Sequence, residues 1–374
     1  MCGIVGFTGC TQAAPVLLDG LRRLEYRGYD SAGVAVFDGE RIEMVKASGS
    51  VEHLAELTDG GAKLRGNSGI AHTRWATHGA PTDTNAHPHL SENGRFAVIH
   101  NGIVENFAAL RAELEGEGYV FASETDTEVV AHLLEKYYDG DLKRTVMRTA
   151  SRLEGSYVLG VLCADEPGRL FCVKEAGPLI LGLGVGENYF ASDVTALVSR
   201  TKNVIYMDDG EFAELTPEHI TVFDRTGREI TKTVSHVVWD IEAAEKGGYD
   251  HFMMKEIMEQ PRAVKSTVEP RIRDGKICFE DFDLSRAELE SYNKIVITAC
   301  GSAYHAGMVG KYVIESLCRI PVECELASEL RYRDPIIDGH TLLIVVSQSG
   351  ETADTIAAMR ECMGRGAHSL AIVN

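Results

Sequence analysis

Two patterns of β-strand follow one another along this sequence, and together they predict two domains of different fold class. Through much of residues 1–240, short apolar strands alternate with hairpin signals such as Asp38-Gly39, which favours antiparallel sheets covered by helices. From residue 294 onwards, near-continuous apolar strands are each followed by a helix, which is typical of a parallel sheet. A chain of 374 residues is long for a single core and suits two domains.

The region between these two halves has the character of a connection. Residues 242–248 are polar and contain a Gly-Gly pair, as linkers often do. A methionine-rich helix over residues 249–261 follows, which predicts core packing, and Pro261 is expected to open or end a turn. We therefore predict domains at residues 1–240 and 291–374, with residues 241–290 as linker and connecting helices.

Composition excludes several classes of function. The net charge of −19 argues against a surface that binds a nucleic-acid backbone, and no stretch is long enough to span a bilayer. The nine cysteines are scattered, form no C-x-x-C pair and follow no secretory signal, which predicts reduced thiols in a cytoplasmic enzyme and no zinc site. Neither a metal nor a cofactor is expected.

Cys2 directly follows the initiator methionine. Removal of Met1 would leave a thiol and a free α-amine on the same residue. These two groups titrate close together, so the neutral amine can take the thiol proton at cell pH. Cys2 is therefore a candidate nucleophile that carries its own base. The alternative is that Cys2 is simply a small residue at the start of a buried strand.

Two polar clusters downstream offer candidates for substrate binding and catalysis. Arg74 lies where a strand ends, and its planar guanidinium could bind a carboxylate; an ordinary ion pair with an aspartate is the alternative. A second apolar strand over residues 96–100 is predicted to stop at Asn101-Gly102. The Asn101 amide and the Gly102 N–H are the donors that an oxyanion hole needs, although Asn-Gly is also a common turn.

A third polar cluster, residues 123–128, reads as the start of a helix. Ser123 or Thr125 is the expected N-cap. Asp126 could hold an ammonium group, and the alternative is an acid favoured by the helix dipole in the first turn.

In combination these stretches resemble the glutaminase half of the class II glutamine amidotransferases, which use an N-terminal cysteine nucleophile. The matching motifs are Met1-Cys2-Gly3-Ile4, Tyr26-Arg27-Gly28-Tyr29-Asp30-Ser31-Ala32-Gly33, His72-Thr73-Arg74-Trp75-Ala76-Thr77-His78-Gly79, His100-Asn101-Gly102 and Glu124-Thr125-Asp126-Thr127-Glu128. They occur in the order found in that family. The resemblance implies an α+β N-terminal-nucleophile fold with stacked antiparallel sheets between helices.

The resemblance also implies a role for each matching residue. Cys2 is the nucleophile, Asn101 and Gly102 stabilise the oxyanion, Arg74 holds the α-carboxylate of glutamine, and Asp126 holds its α-ammonium. The remaining implied roles belong to Thr77 and His78 in the glutamine pocket, to Trp75 in gating ammonia, and to Arg27 and Gly28 in supporting Cys2.

The second half carries two hydroxyl-rich loops, each at the end of an apolar strand and before a helix. Such positions suit a phosphate, although serine and threonine could equally be plain N-caps. Ser-Gln-Ser-Gly-Glu-Thr at residues 347–352 resembles the signature of sugar isomerase (SIS) domains. By that resemblance the sugar-phosphate-binding residues are Ser302, Ser347, Gln348, Ser349 and Thr352. Ala303 departs from the family pattern, which commonly has serine there.

Both halves together resemble the glutamine:fructose-6-phosphate amidotransferase family. The implied substrates are glutamine and fructose 6-phosphate, and the products are glucosamine 6-phosphate and glutamate. The chain stops in an apolar strand at residues 369–374, so we expect an incomplete α/β SIS domain that lacks isomerase activity. Complete family members are expected to form homodimers, and the missing part weakens that expectation here. The alternatives are another class II amidotransferase, such as the phosphoribosyl-pyrophosphate enzyme, and a non-catalytic sugar-phosphate sensor.

Overall fold

The computed structural model describes residues 2–76, 78–237, 248–249, 251–279, 285–350 and 352–373, with the backbone alone at residue 252. The chain divides into two compact units, residues 1–255 and 256–374. Most of the predicted linker at residues 242–248 lies outside the described residues. None of the helices in the described ranges combines the length and apolar character needed to cross a membrane.

The first unit consists of short strands and five α-helices among its described residues. The strands are β1 (Gly3–Gly9), β2 (Ser31–Phe37), β3 (Ile42–Ser48), β4 (Ser68–Arg74), β5 (His89–Leu90), β6 (Phe96–Val104), β7 (Gly155–Cys163), β8 (Leu170–Glu175), β9 (Ile180–Leu183), β10 (Glu187–Ala191), β11 (Asn203–Tyr206), β12 (Glu211–Leu215), β13 (Ile220–Phe223), β14 (Glu229–Ile230) and β15 (Ser235–His236). The helices are α1 (Ala13–Leu24), α2 (Val51–Leu57), α3 (Phe107–Gly116), α4 (Glu128–Tyr137) and α5 (Leu142–Ala150).

These strands form two stacked sheets with helices on both outer faces. Within the described residues, one sheet has the order β15-β11-β9-β10-β1-β4-β2-β3 and the other β14-β13-β12-β8-β7-β6-β5. Apolar residues of both sheets, such as Ile4 and Ile99, share the central core. Helices α1 and α2 cover the first sheet, and α3 to α5 cover the second. The strand pairs are antiparallel, and the predicted α+β class is confirmed.

The second unit is built around a parallel sheet. Its described elements are α6 (Phe252–Val268), which begins before the unit boundary, β16 (Ile272–Arg273), β17 (Lys276–Ile277), α7 (Arg286–Ser291), β18 (Lys294–Ala299), α8 (Gly301–Cys318), β19 (Val322–Leu326), α9 (Ala327–Leu330), β20 (Thr341–Ser347), α10 (Ala353–Gly364) and β21 (His368–Val373). The sheet order is β19-β18-β20-β21, all parallel. Alternate residues of β18 face opposite cores, so Val296 packs with α9 and α10 while Ile297 packs on the α8 side. The predicted α/β class is confirmed.

Two expectations about α6 were wrong. The helix continues through Pro261, because the fixed φ of proline is compatible with a helix at the cost of one backbone hydrogen bond. Met253 and Met258 are 72% and 59% exposed, so they do not pack into a core here. Helical spacing identifies an apolar stripe, but it does not say which surface covers that stripe.

Candidate functional site

The candidate nucleophile lies at the start of β1 in the first unit. Strand β1 pairs with β4 in an antiparallel register that aligns Gly3 with Thr73. This register carries Cys2 past the end of β4, where the Trp75 N–H donates a hydrogen bond to Cys2 Sγ at 3.1 Å. The pairing therefore joins two motifs that are 73 residues apart in the sequence.

The surroundings of the Cys2 thiol favour its neutral form. Burial raises the pKa of Cys2, while the Trp75 N–H and the positive charge of Arg74 act in the opposite direction without cancelling it. The negative charge of Asp30 adds to the increase in pKa. A base is therefore needed to convert this thiol into a thiolate nucleophile.

Asn101 connects the second sheet to the nucleophile. Its side-chain Nδ2 donates to the Cys2 carbonyl oxygen at 3.2 Å, and its Oδ1 lies 2.9 Å from Nε2 of His72. The prediction that the strand stops at Asn101-Gly102 was wrong, since β6 continues to Val104. Pairing of Asn101 and Gly102 with β7 overrides the turn preference of the dipeptide.

Gly102 occupies a backbone position that only glycine fits. Its φ is +121°, and a Cβ there would lie 2.0 Å from the carbonyl oxygen of Ser156 on β7. Both the positive φ and the close approach exclude larger side chains. The Gly102 backbone is exposed and directly follows Asn101. A side-chain amide and an exposed glycine backbone thus lie next to each other beside Cys2.

Arg74 is 4% exposed and holds the loop that follows it. Its guanidinium donates to the carbonyl oxygens of Ala80 at 3.2 Å and Gly79 at 3.3 Å, and also to that of His78. These contacts are with backbone carbonyl oxygens, so they differ from the alternative of an ordinary ion pair with an aspartate. The His78 ring packs edge-on against Phe107 at 5.3 Å between centroids. Thr77 lies outside the described residues.

Asp126 lies just before α4 and contacts the last residue of the strand that carries Asn101. Asp126 is 4% exposed, and its carboxylate accepts a hydrogen bond from the Val104 N–H at 2.8 Å and lies 3.9 Å from Nδ1 of His100. The buried Asp126 carboxylate therefore contacts the end of β6, the strand that carries Asn101, and the buried Arg74 guanidinium lies at the end of β4. This is the charge pair that a zwitterionic amino acid requires.

The expected cap of the following helix was wrong. Helix α4 begins at Glu128 with Thr127 as N-cap residue, and neither Ser123 nor Thr125 caps it. Ser123 Oγ instead donates to Glu128 Oε2 at 2.6 Å, and Thr125 Oγ1 lies 3.1 Å from His89 Nε2. The prediction failed because the Ser123 hydroxyl bonds to a side chain five residues away and the Thr125 hydroxyl contacts a ring 36 residues away. Spacing alone does not reveal such partners.

Arg27 and Gly28 support this region by different contacts. Arg27 Nη1 donates to the Ser192 carbonyl oxygen at 2.9 Å, and Ser192 Oγ accepts from the Ile4 N–H at 3.0 Å, two residues after Cys2. Gly28 has a φ of +92°, and a Cβ there would lie 2.8 Å from the Trp75 ring. Trp75 is 55% exposed, with one edge of its ring against this glycine.

Three residues near Cys2, Asn101 and Arg74 have contacts that the sequence did not predict. His72 contacts Asn101, Ser192 holds β1, and the Asp30 carboxylate accepts from the Ala76 N–H at 2.5 Å. His72 and Asp30 lie inside recognised motifs. Strand alternation places His72 on the same face as Arg74, which was a usable signal. Ser192 had no local signal, because its partner is 188 residues away.

The second unit brings its two hydroxyl-rich loops to adjacent strand ends. Strands β18 and β20 are parallel neighbours, and Thr355 Oγ1 of α10 lies 3.7 Å from Cys300 Sγ at the start of α8. Helix α8 begins at Gly301, so Ser302 lies in the first turn of the helix and not in a loop before it, as was predicted. Ser347 ends β20, and its Oγ accepts from the Gly350 N–H at 3.0 Å.

The remaining predicted phosphate ligands flank the start of α10. Gln348 and Ser349 are exposed. Thr352 is the N-cap residue of α10, and within the described part of this loop its side chain makes no capping hydrogen bond. The alternative that Thr352 serves only as a helix cap is therefore not supported by its contacts. Ala303, where the SIS pattern commonly has serine, is half-buried in α8.

Comparison with protein-family models assigns both halves. Residues 72–199 match the glutamine amidotransferase domain, and residues 288–374 match the SIS domain. The chain joins a glutamine amidotransferase domain to a SIS domain. The resemblance to these two families that the motifs predicted is confirmed.

Curated relatives match this chain over its whole length. The chain is 54% identical over 375 residues to a protein of Caldanaerobacter subterraneus subsp. tengcongensis named glutamine–fructose-6-phosphate aminotransferase (isomerizing). It is 52% identical over 375 residues to the protein of that name from Clostridium tetani. Both matches cover 100% of this chain and 62% of the relative, so the chain spans about three fifths of the length of these relatives.

Solved structures support the fold. The glutamine phosphoribosylpyrophosphate amidotransferase from B. subtilis, solved with ADP and GMP, matches with a TM-score of 0.55 and 19% identity, covering 100% of this chain and 81% of that one. At this identity the match shows a shared fold and nothing about the acceptor substrate.

Proposed function

We propose that this chain hydrolyses glutamine at Cys2 and releases ammonia. The observation that carries the proposal is that two donors converge on Cys2. The Trp75 N–H lies 3.1 Å from its Sγ, and the Asn101 Nδ2 lies 3.2 Å from its carbonyl oxygen. With Met1 removed, the α-amine of Cys2 takes the thiol proton, and the thiolate attacks the carboxamide carbon of glutamine. The Asn101 Nδ2 and the Gly102 N–H stabilise the oxyanion of the tetrahedral intermediate.

The second half of the reaction completes the cycle. The protonated amine donates to the departing nitrogen, and ammonia leaves behind a thioester on Cys2. Water activated by the same amine hydrolyses the thioester and gives glutamate. The raised pKa of Cys2, caused mainly by burial, explains why a base adjacent to the sulfur is required.

The charged residues account for selection of an α-amino acid. Arg74 would exchange its present carbonyl acceptors on residues 78–80 for the α-carboxylate, which forms stronger charge-assisted bonds. Asp126 would hold the α-ammonium. Thr77 and His78 would line the same pocket. The exposed Trp75, which packs on Gly28, would gate the passage of ammonia.

The acceptor proposed for the ammonia is fructose 6-phosphate, bound in part by Ser302, Ser347, Gln348, Ser349 and Thr352. The whole protein would then make glucosamine 6-phosphate and glutamate as a cytoplasmic homodimer, without a metal or cofactor. The proposed domain limits remain 1–240 and 291–374. Among the steps of this reaction, glutamine hydrolysis is the one that the contacts around Cys2 support.

Glutamate release from glutamine by the purified chain tests the first proposal. Activity that disappears in Cys2→Ala, with Met1 absent by intact mass, supports the N-terminal nucleophile. Exposed Cys10→Ala is the matched control and should leave the rate unchanged. Release that persists in Cys2→Ala would refute the assignment.

Binding of fructose 6-phosphate, measured by calorimetry, tests the second unit and the sensor alternative. We expect Ser347→Ala and Thr352→Val each to weaken binding, because both would remove a hydroxyl near the phosphate. Sugar-phosphate binding by a chain that releases no glutamate would favour the sensor. Unchanged affinity in both variants would contradict the proposed phosphate site.

A further inference from the structure

The His72 ring is fully buried on β4 and contacts the catalytic amide from behind. His72 Nε2 lies 2.9 Å from Asn101 Oδ1, while Asn101 Nδ2 reaches the Cys2 carbonyl at 3.2 Å. The contacts run from the His72 ring through the Asn101 side chain to the backbone carbonyl of Cys2. The proposed mechanism gives roles to Asn101 and Cys2 but none to His72.

Hydrogen-bond chemistry determines which way the Asn101 amide points. The Cys2 carbonyl oxygen can only accept a hydrogen bond, so the Asn101 atom that faces it at 3.2 Å has to be the nitrogen. An amide turned by 180° would place two oxygens against each other. The oxygen of Asn101 therefore faces His72, and His72 has to donate through Nε2–H.

Other contacts favour a neutral His72 ring in this tautomer. Burial lowers the pKa of His72 to about 3, so the ring is uncharged at neutral pH. Its Nδ1 has no hydrogen-bond partner among the described residues, which is compatible with an unprotonated nitrogen. The ring of His87 stacks on His72 at 4.3 Å between centroids and restricts its rotation.

We propose that His72 is a positioning residue, which holds the Asn101 amide with its NH₂ group on the side of Cys2, where one N–H bonds the Cys2 carbonyl and the second can serve the oxyanion. This inference rests on the proposed glutaminase function. An oxyanion donor has to point at the developing charge before the reaction begins, because reorientation during the reaction reduces its contribution. Without the donor on His72, the Asn101 oxygen loses its partner and the amide is free to rotate.

A pair of matched substitutions tests this role in the full chain. His72→Leu removes the donor at similar size, whereas the amide nitrogen of His72→Gln can reach the same position as Nε2. We expect His72→Leu to lower kcat for glutamine hydrolysis by about 10- to 100-fold with KM changed less than about twofold, since loss of an oxyanion donor costs ~10²–10³-fold. His72→Gln should recover most of kcat.

A double-mutant cycle separates positioning from a general structural effect. If His72 acts only through the amide, His72→Leu should lower kcat by less than about twofold in an Asn101→Ala background. Thermal melting of each variant monitors folding. Equal losses in both backgrounds, or equal losses for His72→Gln and His72→Leu, would overturn the proposal.

The tautomer gives a test that does not depend on turnover. Long-range ¹H–¹⁵N spectra of the histidine-labelled chain should show His72 neutral, with the proton on Nε2, from pH 8 down to pH 5. A proton on Nδ1 would overturn the proposal even if His72→Leu fails to fold. Wild-type activity that His72→Leu leaves unchanged overturns only the role of His72, whereas absence of glutamate release from the wild type refutes the glutaminase itself.

Discussion

Glu128 is a buried carboxylate that organises the loop before Asp126. Its Oε1 accepts from the Ala122 N–H at 2.8 Å, and its Oε2 accepts from the Ser123 N–H at 2.7 Å and the Ser123 hydroxyl at 2.6 Å. The side chain is 5% exposed. Burial would raise the pKa of Glu128, but the neighbouring His132 ring and these hydrogen bonds outweigh it and lower the pKa to about 2.

We expect Glu128→Gln to destabilise the first unit by about 3 kcal/mol at pH 7. A hydrogen bond to a charged group contributes ~1.5–3 kcal/mol. The glutamine oxygen can retain the two bonds to Ser123 only as weaker neutral bonds, and the amide NH₂ then faces the Ala122 N–H as a second donor. The estimate therefore combines one lost bond with two weakened ones.

The loss of stability caused by Glu128→Gln should also depend on pH. The folded-state pKa of Glu128 lies below its ordinary value of ~4.3 in an unfolded chain. The stabilisation is therefore complete above about pH 5 and is lost as the pH falls toward 2. The gap in the free energy of unfolding between wild type and Glu128→Gln should narrow over that range.

Hydrogen-exchange mass spectrometry of α4 peptides in increasing urea measures this free energy for the first unit. Glu56→Gln is the matched control, because the Glu56 side chain is 73% exposed on α2 and should change stability by less than about 0.5 kcal/mol. A loss below 1 kcal/mol for Glu128→Gln at pH 7, or a difference that stays constant to pH 3, would refute the reasoning.

Two further substitutions test how the site is held. Gly102→Ala should abolish glutamate release and lower the melting temperature, because the added Cβ would lie 2.0 Å from the Ser156 carbonyl oxygen. Gly94→Ala is the control and should retain activity, because Gly94 also has a positive φ but a Cβ there would have no atom within 4 Å. Ser192→Ala should cost about 1–2 kcal/mol in the free energy of unfolding and lower kcat, because β1 loses a buried hydrogen bond. Ser68→Ala is its control, since that buried hydroxyl has no partner among the described residues and its removal should be nearly neutral.

Local patterns predicted the fold classes well and the ends of elements less well. The antiparallel and parallel halves were readable because strand periodicity and the residues after each strand are local properties. The prediction that the strand ends at Asn101-Gly102 was wrong because both residues pair with β7. Asn101 pairs with Val158, which is 57 residues away in the sequence. The cap of α4 was misread because Ser123 bonds to Glu128 and not to the helix backbone.

The sequence by itself determined the candidate nucleophile, the order of the glutaminase motifs and the hydroxyl-rich loop at residues 347–352. These features are readable because residue chemistry and short spacing define them. Only the tertiary structure decided that β1 and β4 pair so that Trp75 donates to Cys2, and that Asn101 lies between His72 and Cys2. Strand register and the partner of a buried amide depend on contacts between distant segments, and no local pattern in one sequence encodes them.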